Sequence, residues 1–540
     1  MKNLVNILSK YAEVKIFFSN SSMKTIVILF FLIYFVVGSF LFKDYGVTTD
    51  EVYQIDKARI TLDYVFGRSN ELLTYPDRHY GAIFPIILDG SKNILSDSRD
   101  VFLYRHFITF SFFYLSTILF YKLLRKLDYN RFLSLLGTIL LVVHPHIFAH
   151  SFFNPKDIPF LSMWILTLFS LTNFIKQPKI STVTLHGVAT GLLVVFRLPG
   201  VLMWGITGLI IIYLFISKQL LFRKAFVTFT VFLVSSFATL YIFLPILWAN
   251  PIGEFISFLS MDPFVWGGKE LFMGSFFEVG ELPWYHLIVY IVVTMPLVLL
   301  FLFVVGNMIS FNTIVFGRKN TKMDVKNRLA IIWISFYFSI IVLLISRAEV
   351  YNGWRHVLFL YPMILLFVLE GLVGIWNLDL GHLAPSKLPI IRLVKVGLVG
   401  FLIGQIALLI VFIAGSHPYE YTYYNWFTGR KLSNTRINFI MDYWGLSYRE
   451  AFEAILAKDD SPSIIVTVDN IFSAKQNWSI LPKKDRDRLR VEKYDSNVKE
   501  DYFVSIFGEY LPLERKNLKL VDTIYVRDAV INATYSKKNK

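Results

Sequence analysis

The chain reads as a polytopic α-helical membrane protein with about eleven transmembrane helices and a small C-terminal exoplasmic α/β domain, and three observations predict it. Apolar runs of spanning length centre near residues 33, 115, 137, 167, 190, 208, 235, 298, 338, 366 and 403. The 540 residues are 55% hydrophobic and only 17% charged, with a mean hydropathy of +0.54, more apolar than a soluble domain can be. From His417 onward the long runs give way to short alternating segments. Helix is the assignment for the runs, because barrel strands would be shorter and would alternate in polarity.

The first run, Thr25 to Phe42, follows Lys2, Lys10, Lys15 and Lys24. It is long enough to span and lacks a small-residue cleavage site, so it is expected to stay in the mature protein. Basic clusters then recur between runs: Lys122 to Arg131, Lys176 with Lys179, Lys218 to Lys224, Arg318 to Arg328, and Lys387 to Lys395. Positive charge marks cytoplasmic loops, which makes the amino terminus cytoplasmic and the tail after Ala414 exoplasmic. A plasma (inner) membrane location is expected. The net charge of +15 is thereby read as topology and not as a nucleic-acid footprint.

Residues 1–415 are expected to form the transmembrane domain, with long exoplasmic loops at 43–105 and 248–284, and residues 416–540 the exoplasmic α/β domain. The first loop predicts a helix over Asp50 to Phe66. The second carries Trp248, Trp266 and Trp284, suited to the headgroup region, and serves either as a cover for a lipid-substrate cleft or as an interfacial anchor. In the tail, Tyr448 to Lys458 predicts a helix; Ser463 to Asp469, Arg488 to Tyr494, Tyr502 to Phe507 and Thr523 to Arg527 predict strands. Cys is absent, which excludes disulfides and thiolate chemistry. No Walker loop, dinucleotide fingerprint or nucleophile elbow is present, so no nucleotide cofactor is expected.

Chemistry concentrates at the exoplasmic ends of the runs. Asp50 and Glu51 open the first loop, where carboxylates can activate an acceptor hydroxyl, hold a metal or answer a lipid phosphate. Thr48 and Thr49 before them also fit an ordinary capped helix start. The next exoplasmic junction runs from His144 through His146, His150, Asn154 and Lys156 to Asp157. Topology puts Asp157 on the same membrane face as Asp50, and the two are the pair that a divalent ion, Mg²⁺ or Mn²⁺, would share. His146 and His150 share a helical face, but no zinc-binding spacing accompanies them. Arg197, Arg347 and Arg355 run against the positive-inside bias, so each asks for a local anion: a substrate phosphate, a headgroup or a protein carboxylate such as Glu349. Guanidinium meets phosphate in bidentate geometry. Lys156, His150 and His356 complete the candidate substrate contacts.

Three segments resemble the type C glycosyltransferases, within them the dolichyl-phosphate-mannose protein mannosyltransferase and aminoarabinose transferase group: Thr48-Thr-Asp-Glu51 after the first span, Asn154-Pro-Lys-Asp157, and Trp354-Arg-His-Val-Leu-Phe-Leu-Tyr-Pro362. The tail segments Tyr423 to Gly429 and Asp442 to Gly445 look like segments after the last span of some bacterial members. The resemblance implies an inverting transfer of a sugar from a polyprenyl-phosphate carrier to a lipid, glycan or protein acceptor on the exoplasmic face. It implies that Asp50 is the catalytic base, with Glu51 and Asp157 orienting substrate or holding a metal. The chain departs from eukaryotic protein mannosyltransferases in lacking their large inserted lumenal domain, which counts against a protein Ser/Thr acceptor. A transporter or flippase of lipid-linked sugars is the alternative; it should show internal repeats and ionisable groups near the bilayer midplane.

Overall fold

The computed structural model describes residues 20–90, 95–260, 268–316, 321–348, 350–377, 388–495, 498–507 and 518–536. Among them, nine helices are long and apolar enough to cross a membrane, beginning with Ser21–Leu41 and ending with Lys395–Ser416. Arg131–Val142 and Pro145–Phe153 meet at 67° as one broken span, and Ile180–Phe196 is a shorter apolar helix. Ten of these eleven units sit where runs are read; the run centred near 298 straddles the break between His286–Thr294 and the spanning helix Leu297–Val315. The protein is an integral membrane protein. Glu349, offered above as an arginine partner, lies outside the described residues.

Small residues let the helices approach closely. Gly306 and Gly371 pack against the backbones of Phe367 and Leu302, so the helices Leu297–Val315 and Tyr361–Trp376 touch where any Cβ would collide. Gly187 and Gly191 do the same for Ile180–Phe196 against Phe222–Phe243. Lipid tails supply no hydrophobic drive, so such small-residue seams carry helix association through dispersion.

The helix Thr49–Val65 departs from the usual amphipathic pattern. Its buried residues include Asp50, Glu51, Gln54, Lys57 and Thr61, a polar stripe at helical spacing turned inward. Burying such a stripe costs free energy unless partners or a ligand answer it. The broken span buries further polar groups: Pro145, at the first position of its helix, restarts the chain after the break, and His146, His150 and Asn154 follow it into the interior.

In the loop after Trp248 a helix, Pro251–Ser260, precedes a hairpin of β1 (Lys269–Phe272) and β2 (Ser275–Glu278). The tail forms a five-stranded sheet of order β4-β3-β5-β7-β6, with β3 (Ile464–Val468), β4 (Leu489–Lys493), β5 (Tyr502–Ser505), β6 (Lys519–Val526) and β7 (Ala529–Ser536). β3 runs parallel to β4 and β5, and β7 antiparallel to β5 and β6. The expected helix is Ser447–Lys458, and a second, Ile471–Ser479, crosses from β3 to β4. The unforeseen β7 is buried on both faces, Asn532 included, so it shows no alternation to read.

The tail is tied to the first loop by polar bonds. Asn477 accepts the Val47 N–H at 3.0 Å and donates to the Val47 and Gly445 carbonyls. Arg449 donates to the Lys43 and Tyr45 carbonyls.

Candidate active site

Five charged side chains from four parts of the chain meet at one end of the helices. Asp157 begins the helix Asp157–Lys176, Arg197 follows Ile180–Phe196, Arg355 opens the turn before Tyr361–Trp376, and Asp50 lies in the first turn of Thr49–Val65. Arg355 Nη1 bridges the two acids, 3.1 Å from Asp50 Oδ2 and 3.2 Å from Asp157 Oδ2. Lys156 Nζ lies 2.9 Å from Asp50 Oδ1, and Arg197 pairs with Asp157. Asn154 shapes the corner: its Oδ1 accepts the Lys156 and Asp157 N–H groups, while its Nδ2 donates to Asp157 Oδ2 and to His150 Nδ1.

These five groups carry three positive charges and two negative ones. Stripping ions from water is expensive, and an imbalance of sign leaves that cost partly unanswered. Arg355 Nε also finds no acceptor among the described residues. Burial would lift the Asp50 carboxyl, but the Lys156 ammonium and the Arg355 guanidinium outweigh it and hold it well below the usual carboxylate range.

Beside the network lies a narrow cleft. Lys57, Lys156 and Arg197 line it with Phe84, Pro85 and Phe196. Lys57 was not foreseen; its signal is its place seven residues after Asp50, on the same helical face. Burial, reinforced by Lys156, pushes its ammonium down to about 7. Tyr80 stands between the two lysines, its ring 4.7 Å from Lys57 Nζ and 5.8 Å from Lys156 Nζ. Gly81 fixes that turn by donating its N–H to the Val195 carbonyl, at a distance no Cβ would permit.

The remaining expected residues separate. Glu51 does not join the network: its carboxylate accepts the Thr48 N–H at 2.9 Å and pairs with His106 at 3.1 Å, half of a capping box held inside the core. His150 Nε2 meets the Tyr443 hydroxyl at 2.8 Å, and His146 Nε2 meets the Tyr423 carbonyl. His356 is buried with its ring edge-on to Tyr351. Arg347 is exposed at the end of Met323–Ile345 and takes no part in the network.

No group of three or more His, Asp or Glu side chains among the described residues could hold a metal ion. The carboxylate oxygens that a shared ion would bridge are met by Lys156, Arg355 and Arg197. As arranged, the donor set does not fit Mg²⁺ or Mn²⁺.

Two supports were not among the expected site residues. Glu270 of β1 is fully buried and accepts the N–H groups of Asn352 at 2.8 Å and Gly353 at 3.3 Å, with His286 beside it. Both residues have left-handed backbones, which aim consecutive N–H groups at one carboxylate just before Arg355. From the tail, the Trp444 ring lies 4.5 Å from the Arg355 guanidinium carbon, with Tyr351 at 5.2 Å.

Comparison with known proteins gives a family match and several distant structural ones. The crystal structure of ArnT from Cupriavidus metallidurans in the apo state aligns at 12% identity over 96% of this chain and 98% of that one, with a TM-score of 0.45. The same protein bound to undecaprenyl phosphate gives 12% identity, 96% and 99% coverage and a TM-score of 0.43. The apo oligosaccharyltransferase of Archaeoglobus fulgidus gives 10% identity, 85% and 64% coverage and a TM-score of 0.44. No curated protein sequence matches. The family model described as dolichyl-phosphate-mannose-protein mannosyltransferase matches residues 94–248, which hold His150, Lys156, Asp157 and Arg197 but neither Asp50 nor Arg355. Over residues 94–248, under a third of its length, the chain is thus similar to the dolichyl-phosphate-mannose-protein mannosyltransferase family.

Proposed function

We propose that this protein transfers a sugar from a polyprenyl-phosphate carrier to an acceptor hydroxyl, by single displacement with inversion, on the membrane face that carries Asp50. The basic loops make that face exoplasmic and the amino terminus cytoplasmic. The observation that carries the reading is the cleft in which Lys57, Lys156 and Arg197 face Phe84, Pro85 and Phe196. Cations joined to apolar walls suit an amphiphilic phosphate better than any soluble anion.

A sugar phosphate is already activated, so the protein needs a base for the acceptor and cations for the departing phosphate. Asp50 held by two cations is a weak base. A phosphate that draws Lys156 and Arg355 toward itself weakens their hold on Asp50, raises its proton affinity and readies it only when donor is bound. Asp157 keeps Arg355 and Arg197 in place and takes no proton. Transport is disfavoured by placement, because the network gathers helix ends on one face.

The test is incubation of purified protein with a panel of polyprenyl-phosphate sugars and acceptors, following free polyprenyl phosphate. Acceptor-dependent release is expected with at least one donor. Failure with all of them, by protein that remains folded, overturns the reading.

A further inference from the structure

We propose that Tyr443 and Trp444, adjacent residues of the tail, are positioning residues that set the two ends of the charged network, so the tail is a working part of the site. The inference rests on the glycosyltransferase reading for its kinetic consequences, and on geometry for the rest. Trp444 is buried and lays its ring 4.5 Å from the Arg355 guanidinium carbon, fixing the plane of a side chain that must present a planar fork to phosphate.

Tyr443 works on the other end. Asn154 Nδ2 donates to His150 Nδ1, which puts the ring hydrogen on Nε2, and that nitrogen donates to the Tyr443 oxygen at 2.8 Å. Asn154 Nδ2 also meets Asp157 Oδ2 at 2.8 Å. A relay therefore runs from Tyr443 through His150 and Asn154 to the acid that shares Arg355 with Asp50.

The turn that presents the pair is rigid. Asp442 accepts the Leu446 N–H at 3.0 Å and the Ser447 N–H at 3.1 Å, and pairs with the Tyr421 hydroxyl. Gly445 has φ of +67°, and a Cβ there would press on Ser473 at 2.8 Å. Asn477 binds the Gly445 carbonyl and Val47 together, so one amide fixes this turn against the strand of chain leading to Asp50.

The test is a double-mutant cycle in the full-length protein, read both as donor KM and as melting temperature without substrate. Trp444→Leu is expected to raise donor KM roughly three- to thirtyfold, Trp444→Phe to recover most of that loss, and Trp444→Leu to add nothing in an Arg355→Ala background. Tyr443→Phe is expected to lower kcat with donor KM nearly unchanged. Equal losses from Trp444→Leu with and without Arg355, or Phe no better than Leu, overturn the positioning role of Trp444; an unchanged kcat in Tyr443→Phe overturns that of Tyr443. Should the Leu variant fail to fold, Trp444→Met replaces it in the cycle. If wild-type protein releases no polyprenyl phosphate from any donor, the glycosyltransferase reading falls, and coupling of Trp444 to Arg355 in melting temperature still decides the contact.

Discussion

Arg355 and Asp50 stand 305 positions apart in the chain, yet a guanidinium nitrogen of one lies 3.1 Å from a carboxylate oxygen of the other. The same nitrogen serves Asp157, so an incoming anion competes with two acids for one donor. The expected outcomes below follow from that competition.

Asp50→Asn keeps the volume and removes the base. Turnover should fall by about 10²–10⁴, while donor KM should not rise, because Lys156 and Arg355 lose a rival for the phosphate. Steady-state release of polyprenyl phosphate checks both halves. Near-normal kcat would take the base role from Asp50.

Arg355→Lys keeps a charge and loses the fork. Donor affinity should drop about tenfold, and further in Arg355→Ala. Short-chain donors that retain the phosphate should show the same relative loss. Unchanged donor titrations for both variants would make Arg355 a structural ion-pair partner.

Lys57 should impose a pH dependence. Its ammonium titrates at about 7, so it is charged below that value and neutral above it, whereas a phosphodiester donor keeps its charge throughout. Donor KM should therefore rise as pH increases from about 6 to 8.5. Lys57→Arg stays charged and should flatten the profile. A wild-type profile already flat over this range would remove Lys57 from donor binding.

Glu270→Gln should act on Arg355 from a distance. It retains the shape of β1 but weakens the hold on the Asn352 and Gly353 N–H groups. Melting temperature should fall by roughly 2–5 °C, and donor KM should rise as the turn before Arg355 loosens. A variant that melts lower with donor KM unaltered would confine Glu270 to stability.

Chelation should leave transfer intact. Asp50 and Asp157 are engaged by Lys156, Arg197 and Arg355, and a divalent ion would have to displace them. Rates in excess chelator, compared with rates after adding Mg²⁺ or Mn²⁺, decide the point; stimulation by either ion would restore the metal bridge.

The helices were legible because hydropathy and basic loops follow directly from the bilayer. Asp50, Asp157, Arg197 and Arg355 were legible because charge at a membrane face runs against local expectation. Glu51 adjoins Asp50 in sequence, but a helical rotation of about 100° per residue turns it to Thr48 and His106. Lys57 was hidden on a helix whose exposed and buried faces are both polar. Glu270 gave no local signal, and Tyr443 and Trp444 stood out only as part of the resembling segment Asp442 to Gly445, since what the three hold lies 82, 293 and 89 positions away respectively. Contacts of that range leave no period and no motif.

The bond between Asn477 and Val47 joins points 430 residues apart, and it has a consequence for biosynthesis. A ribosome makes the first loop, the broken span and Arg355 before it makes the turn at Gly445 or the helix that carries Asn477. The membrane part can be threaded while Asp50 still lacks its final support. The site is completed only when the tail has been made and docked. A nascent or truncated chain thus holds its acids and cations unassembled, and competence arrives as the last event of maturation.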